Sequence, residues 1–331
     1  MALEIYRVPS DTQAGSMSSE VAQPRQHAAP SKVAVTVLIL TFNEEKHLSR
    51  AIQSVQPFAQ QIIVVDSYSA DRTLEIALSM GAEILQHPWE HNHSRQFNWA
   101  LENAAIAGDW VMRLDADEYV TPALAREITT RLPRVANAVT GIHFKRRVHF
   151  LGRWLRWGSV YPIWVLRLWR AGRARCEIRW MDEHIRILEG ESIHFDNDIV
   201  DENLNDLAWW TAKHIGYSRR EATDLLNIKY HFAEYDGLGA DTGVQQTKIR
   251  RRLKEKIYSR LPLFFRPFLY FVYRYCFRFG FLDGVPGLVW HVLQGFWYRF
   301  IIDANIYEIE QRARQQNRGV AELIERDWQL K

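Results

Sequence analysis

The chain has 331 residues, enough for one large or two ordinary domains around an ample core. Its 42 Lys and Arg against 39 Asp and Glu leave a formal charge of +3, far from the basic balance of a dedicated nucleic-acid binder, so no nucleic-acid partner is expected. A 47% hydrophobic content with only 17 Gly and 11 Pro excludes a collagen-like or low-complexity chain, and two cysteines, Cys176 and Cys276, offer neither a disulfide framework nor a Cys-rich zinc site and fit a reducing, cytosolic location.

Residues 1–32 mix Ser, Gln, Ala and Pro with scattered charge and have no apolar period, so a disordered leader without a signal-peptide core is expected there. Beyond it, apolar runs alternate with helical periodicity. Val33–Leu40 reads as a strand, followed by a helix over Glu44–Val55 that places Leu48, Ile52 and Val55 on one face behind an Asn43 cap. Gln61–Val65 reads as a buried strand, and Leu74, Ala77 and Leu78 line a helix closed by Gly81. Glu83–Gln86 is a short third strand, Phe97, Ala100, Leu101 and Ala104 mark a third helix, and Trp110–Leu114 is a further strand running into Asp-Ala-Asp-Glu. This alternation predicts an α/β, mostly parallel, Rossmann-like sheet flanked by helices, with ligands bound beyond the carboxyl ends of its strands.

Three polar clusters fall at those strand ends: Thr41-Phe42-Asn43-Glu44, Asp66-Ser67-Tyr68-Ser69 and Asp115-Ala116-Asp117-Glu118. Extended backbone would turn Asp115 and Asp117 the same way, and paired carboxylate oxygens suit Mg²⁺ or Mn²⁺ together with the oxygens of a diphosphate. The plainer alternative is a solvated acidic turn. An aspartyl-phosphate phosphatase expects Thr or Val where Tyr119 stands. There is no phosphate-binding G-x-x-x-x-G-K-[ST] loop and no strand-linked G-x-G-x-x-G; Gly237-Leu-Gly239 lies in a polar loop.

Four blocks in order, Leu38-Ile-Leu-Thr-Phe-Asn-Glu-Glu45, Ile63-Val-Val-Asp66-Ser with Asp71-Arg-Thr73, Gln96-Phe-Asn-Trp-Ala-Leu101 and Leu114-Asp-Ala-Asp-Glu118, resemble the family 2 glycosyltransferases of GT-A fold. Within them the likeness is to the bacterial lipopolysaccharide-core glucosyltransferase group. It continues through Trp157-Gly-Ser-Val-Tyr-Pro162, Arg167-Leu-Trp-Arg170, Trp180-Met-Asp-Glu-His184 and Lys213-His with Tyr217-Ser218. The resemblance implies that Thr41 and Glu44 contact the nucleoside of a UDP-sugar and that Asp66 accepts from the uracil N3–H. It implies that Asp115 and Asp117 serve the ribose–diphosphate and a divalent cation (Mg²⁺ or Mn²⁺), with Asp117 the leading ligand. Arg95, Gln96 and Asn98 would meet donor phosphate or ribose, with a structural cap an equal alternative for Asn98.

Inverting transfer needs a base for the acceptor hydroxyl. The family's matching segment usually reads His-Glu; here Asp182 precedes Glu183, so either carboxylate can be that base, and a surface acid beside Arg179 and Arg186 is the alternative. His194 stands where such enzymes often carry a late metal-binding histidine, although a lone His is more often structural.

Seventeen aromatic residues fall between Tyr258 and Tyr307, after the basic run Lys248–Lys256. Asp283 is the only acid between Tyr258 and Phe300, and Arg266, Arg274, Arg278 and Arg299 interrupt the apolar stretch, so no clean span of about 20 apolar residues exists. An amphipathic, membrane-associating helical tail is expected, its arginines reaching anionic lipids; a soluble subdomain packed on the core, or a dimer interface, is the alternative. Gly280, Gly284 and Pro286 divide it into two helical segments.

The expected organisation is a leader over 1–32, a GT-A domain over 33–252 and the tail over 253–331. The expected reaction is metal-dependent, inverting transfer of a hexose, glucose from UDP-glucose first, to a hydroxyl of a lipid-anchored saccharide such as lipopolysaccharide core, at the cytoplasmic face of the inner membrane. A polyprenyl-phosphate acceptor and a non-catalytic membrane adaptor are the rival readings.

Overall fold

A computed structural model describes residues 32–90, 92–178, 181, 183–233 and 261–328. Residues 1–31 of the expected leader, the basic run Lys248–Lys256 and the 252/253 division lie outside them.

A nine-stranded sheet forms the body, with order β3-β2-β1-β4-β8-β6-β11-β5 and β7 paired to β6. Its first half is parallel, as the alternation predicts: β1 (Val33–Thr41) lies between β2 (Ala59–Asp66) and β4 (Trp110–Asp115), and β2 pairs with β3 (Glu83–Gln86). The second half is mixed. β8 (Ile163–Arg170) runs antiparallel to both β4 and β6 (Val139–Phe150), β11 (Glu191–Glu202) is parallel to β6, and β5 (Glu118–Val120) and β7 (Arg153–Leu155) add antiparallel edges. Hairpin-like returns replace crossover helices there, so the helical periodicity of the first 130 residues does not recur.

Helices α1 (Leu48–Val55), α2 (Thr73–Ser79), α3 (His93–Asn103) and α4 (Pro122–Arg131) flank the sheet. α1 buries Leu48, Ala51, Ile52 and Val55 as the spacing predicts, but it starts four residues later than Glu44. Asn43 is not its cap. Asn43 sits at φ 56°, and its Oδ1 accepts the Ala70 N–H at 2.9 Å, while its own N–H donates to Ser69 Oγ at 2.8 Å. Leu78 is also turned out, because α2 buries Thr73 and Ala77 instead. Gly81 does close that helix, at φ 75°.

After β11, Asp206 caps the long helix α5 (Leu207–Tyr230) by accepting the Trp209 N–H at 2.8 Å. The tail is two helical segments, as its glycines predict. The first is α6 (Phe265–Val272), extended by a π-helical stretch Tyr273–Phe277. The second runs from α7 (Gly284–Trp290) through a π-helical stretch His291–Trp297 into α8 (Tyr298–Gln316), with α9 (Val320–Trp328) folded back on it. α5, α8 and α9 share one core through Leu226, Ile302, Ile309 and Leu323.

The tail docks on the segment after β7. Asp283 accepts the Arg156 and Trp157 N–H groups at 2.9–3.1 Å, and Arg274 Nε donates to the Gly158 carbonyl at 2.7 Å. Gly158 is required: a Cβ there would stand 2.1 Å from the His291 ring. Three of the four arginines expected at a lipid surface, Arg266, Arg274 and Arg299, are instead turned inward onto Asp303, Gly158 and Glu221. Arg278 alone is exposed, and it donates to Ser159 Oγ. Local sequence shows that an arginine interrupts an apolar run but not which side of the helix finds a partner.

Candidate functional site

The parallel register brings the three polar clusters to one sheet edge, with Thr41 opposite Asp66 and Leu40 opposite Asp115. Asp66 is fully buried. Its Oδ1 accepts from Thr41 Oγ1 at 3.0 Å and Ser69 Oγ at 2.5 Å, and its Oδ2 from the Ser69 N–H at 2.9 Å and Gln86 Nε2 at 3.4 Å. Four donors fill the acceptor directions of one carboxylate, so a base N–H reaches Asp66 only by displacing one of them.

Glu44 joins this edge to the segment before α5. Leu204 N–H donates to His47 Nε2 at 2.8 Å, which leaves the proton on Nδ1, donated to Glu44 Oε2 at 2.6 Å. The backbone N–H of Glu44 donates to Thr73 Oγ1 at 2.8 Å, tying the first block to the second.

Asp115 and Asp117 do not share one extended strand. β4 ends at Asp115 and the chain turns at Ala116 and Asp117, so the period-two argument lapses. Asp115 is held by two guanidiniums, Arg113 Nε at 2.9 Å and Arg167 at 2.7 Å. Burial pushes its carboxyl up, but the two arginines more than offset this and hold it well below the usual carboxylate range. Arg167 also reaches Glu118 at 2.6 Å, and burial lifts Glu118 to about 7, Asp115 adding to the rise against Arg167. Asp117 is differently placed. Its Oδ2 accepts from Asn203 Nδ2 at 3.1 Å, and its carbonyl accepts from the Glu202 N–H at 3.1 Å. Nearby Asp201 is raised to about 6 by burial, with Asp117 and Asp115 adding to the rise against Arg146.

Glu183 is brought to this edge: its Oε1 stands 3.7 Å from Nη2 of Arg113, whose Nε donates to Asp115. Its loop is anchored by the hairpin of β9 (Ala174–Cys176) and β10 (Ile185–Ile187), where Glu177 pairs with Arg186 at 2.5 Å. Asp182 lies outside the described residues. His93 also senses Glu183 and Asp115; burial dominates and lowers its pKa to about 4.

Other expected site residues are engaged elsewhere. Gln96 is buried and spends its amide on Ser67 Oγ (3.1 Å), the His87 carbonyl (3.2 Å) and His87 Nδ1 (2.8 Å). Asn98 clamps β9, donating to the Cys176 carbonyl at 2.8 Å and accepting its N–H at 2.9 Å; the cap of α3 is Asn92. Arg95 is exposed on the first turn of α3. His194 stacks on His143 with centroids 5.1 Å apart and meets Trp164 edge-on at 4.4 Å. It precedes Glu202, the residue that touches the Asp117 turn, by eight positions of β11, about 26 Å of extended chain. The structure does not bring it to the aspartates.

Among the described residues no group of three or more His, Cys, Asp or Glu is arranged to hold a metal. A cation held by a single protein carboxylate and by diphosphate oxygens fits Asp117, whose Oδ1 has no partner among the described residues, and not Asp115, whose oxygens both carry guanidiniums.

Sequence reasoning missed Arg113 and Arg167 as partners of Asp115. The signal was present, since an Arg inside an otherwise apolar strand two residues before an Asp faces the same way. It gave Lys213 no role. The Lys213 ammonium lies 4.6 Å from the Trp209 ring centroid; burial lowers its pKa, and Tyr217, Asp117 and Glu44 raise it above its ordinary value.

Residues 36–186 match the family described as Glycosyl transferase family 2. An uncharacterized glycosyltransferase of Rickettsia typhi is 37% identical over 94 residues, 28% of this chain and 31% of that protein, so the match spans less than a third of this curated relative. The lipopolysaccharide core biosynthesis glycosyltransferase LpsC of Rhizobium meliloti is 26% identical over 289 residues, 84% of this chain and 93% of that one. Among solved structures, glucosyl-3-phosphoglycerate synthase from Mycobacterium tuberculosis, in complex with Mn²⁺, UDP and glucosyl-3-phosphoglycerate, covers 35% of this chain and 44% of that chain at 22% identity and a TM-score of 0.30, too slight a likeness to carry an argument.

Proposed function

We propose, from the match of residues 36–186 to Glycosyl transferase family 2, that this chain transfers a hexose, glucose from UDP-glucose first, with inversion, to a hydroxyl of a lipid-anchored saccharide of the lipopolysaccharide-core kind. The observation that carries the reading is the meeting of Thr41, Asp66, Asp115, Asp117 and Glu183 at one strand edge, drawn from segments far apart in the chain. The similarity to LpsC along most of both chains supports the acceptor class.

In this reading Asp117 holds Mg²⁺ or Mn²⁺, which when bound neutralises charge developing on the diphosphate leaving group. Burial is the main cause of the raised values of Glu118 and Asp201, with Asp115, and for Asp201 also Asp117, adding to the rise, and a cation bound at this edge would lower both. Thr41 and Asp66 face the nucleoside, with the Ser69 hydroxyl the displaceable donor. Arg113 and Arg167 hold Asp115 rigid and ionised, and Arg113 ties it to Glu183. Glu183, or Asp182 beside it, takes the acceptor hydroxyl proton as the new bond forms.

The test is UDP-sugar binding and slow hydrolysis by the full chain, with and without Mn²⁺, across UDP- and GDP-sugars, comparing wild type with Asp117→Asn. Selective, metal-dependent hydrolysis of one UDP-sugar, lost in the variant, supports the reading; no response to any donor overturns it. A polyprenyl-phosphate acceptor is already ionised and needs no base, so full transfer by Glu183→Gln and Asp182→Asn would move the acceptor to that class.

A further inference from the structure

Between Phe265 and Val285 much of the usual placement of polar and apolar residues is reversed. Phe265, Phe268 and Phe277 on the first segment, Phe279 and Phe281 in the link and Val285 on α7 face outward, with Phe277 70% and Val285 72% exposed. Of the charged residues between Phe265 and Val285, Arg266, Arg274 and Asp283 face inward, and Arg278, bonded to Ser159 Oγ, is exposed. Arg266 and Asp303 are 3% and 0% exposed and paired at 2.5–2.8 Å, Asp283 is spent on the Arg156 and Trp157 N–H groups, and Arg299 pairs with Glu221.

In water this arrangement is unfavourable twice over: apolar surface stays wet and charge is desolvated. Single exposed apolar side chains are ordinary on a soluble protein, but charges withdrawn beneath an apolar exterior are not. Both features become favourable when the outer medium is itself apolar. The apolar rings also adjoin one another across the docked loop, with Trp157 and Phe279 centroids 6.2 Å apart and Phe279 and Phe281 6.1 Å apart.

We propose that this face is a wedge inserted into the hydrocarbon of one bilayer leaflet, held by apolar burial rather than by arginine contacts to anionic headgroups. No helix among the described residues is long and apolar enough to cross a membrane, and the Phe265–Phe277 segment is about 20 Å long against a hydrocarbon core of about 30 Å. The wedge enters without spanning. Its hydrogen bonds to residues 156–159 link its position in the leaflet to the transferase domain. The inference rests on the lipid-anchored acceptor read above and names the surface that meets the lipid.

The experiment is co-sedimentation of the full chain with vesicles of phosphatidylcholine alone and of phosphatidylcholine with phosphatidylglycerol, in low salt and in about 1 M salt, where surface charge is screened. Binding to neutral vesicles that survives high salt is expected, with tryptophan quenching by acyl-chain-brominated lipid that weakens in Trp157→Phe. Phe277→Asp and Val285→Asp are each expected to weaken partition by about tenfold or more, since an inserted side chain is replaced by a charge. UDP-sugar hydrolysis without acceptor, measured on the same samples, stays unchanged in both variants, so loss of lipid binding and loss of donor chemistry are told apart. Binding confined to anionic vesicles and abolished by salt overturns the proposal. So does a chain that ignores vesicles and forms a dimer that Phe277→Asp dissociates, for then a second copy covers the face.

Discussion

The strand-end site and the helical tail both bury charge, and they treat it differently. At the site, Arg113 and Arg167 satisfy Asp115, while Asp117 Oδ1 has no partner among the described residues and burial pushes Asp201 and Glu118 up. In the tail, Arg266–Asp303 and Arg299–Glu221 are closed pairs, and Asp283 is closed by backbone N–H groups. Unspent charge marks a place that receives a ligand; closed pairs beneath an apolar exterior mark a place shaped for a medium. The same residue types therefore serve chemistry in one region and architecture in the other.

The comparison is tested most severely by the two acids of the site. Asp117→Asn is expected to reduce metal-dependent turnover on the order of 10³-fold with little change in the thermal transition, because the amide oxygen can still accept from Asn203 while the charge that would hold the cation is lost. Glu183→Gln is expected to cost transfer about 10²–10⁴-fold while UDP-sugar affinity, read by titration calorimetry, is kept. Asp303→Ala should do the reverse. It takes the carboxylate away from the buried Arg266 guanidinium, a loss of about 3–5 kcal/mol in urea unfolding, with donor affinity intact. Asn98→Ala, which removes both bonds to Cys176, is expected to lower stability by about 1–3 kcal/mol and to show that this member of the third block is a clamp.

The smallest effect concerns pH. Burial holds His143 and His291 near 3 and His93 and His214 near 4, all below the 6.5 of a free imidazole. Unfolding lets each ring take a proton. Their contribution is complete above pH 6.5 and is lost as pH falls from there through 4 and then 3. His291→Leu should thus shift the acid-unfolding midpoint slightly downward in circular dichroism. An unchanged midpoint would mean that the ring between Gly158 and Gly280 takes no part in the acid response.

The parallel half of the sheet was legible because short-range patterns specify it. Continuous apolar runs and helices of period 3.6 alternate from Val33 to Asp115, and that alternation places Thr41, Asp66 and Asp115 at one edge. The antiparallel half was not legible, since the strands from Val139 to Glu202 are set by partners far away in the chain. Asn43, Gln96 and Asn98 were misread for a related reason: an amide side chain suits a cap, a ligand contact or an internal clamp equally well, and its neighbours in space decide.

Composition and local pattern were sufficient for the fold class, the family likeness, the strand-end acids and the two-part aromatic tail, because each depends on residues within a turn or two of one another. Three-dimensional packing was needed to part Asp115 from Asp117, to remove His194 from the aspartates, to bring Arg113 between Asp115 and Glu183, and to turn the tail's arginines inward. Charge interacts through space and not along the chain. Its partners and its cost of burial are therefore settled only when distant segments meet.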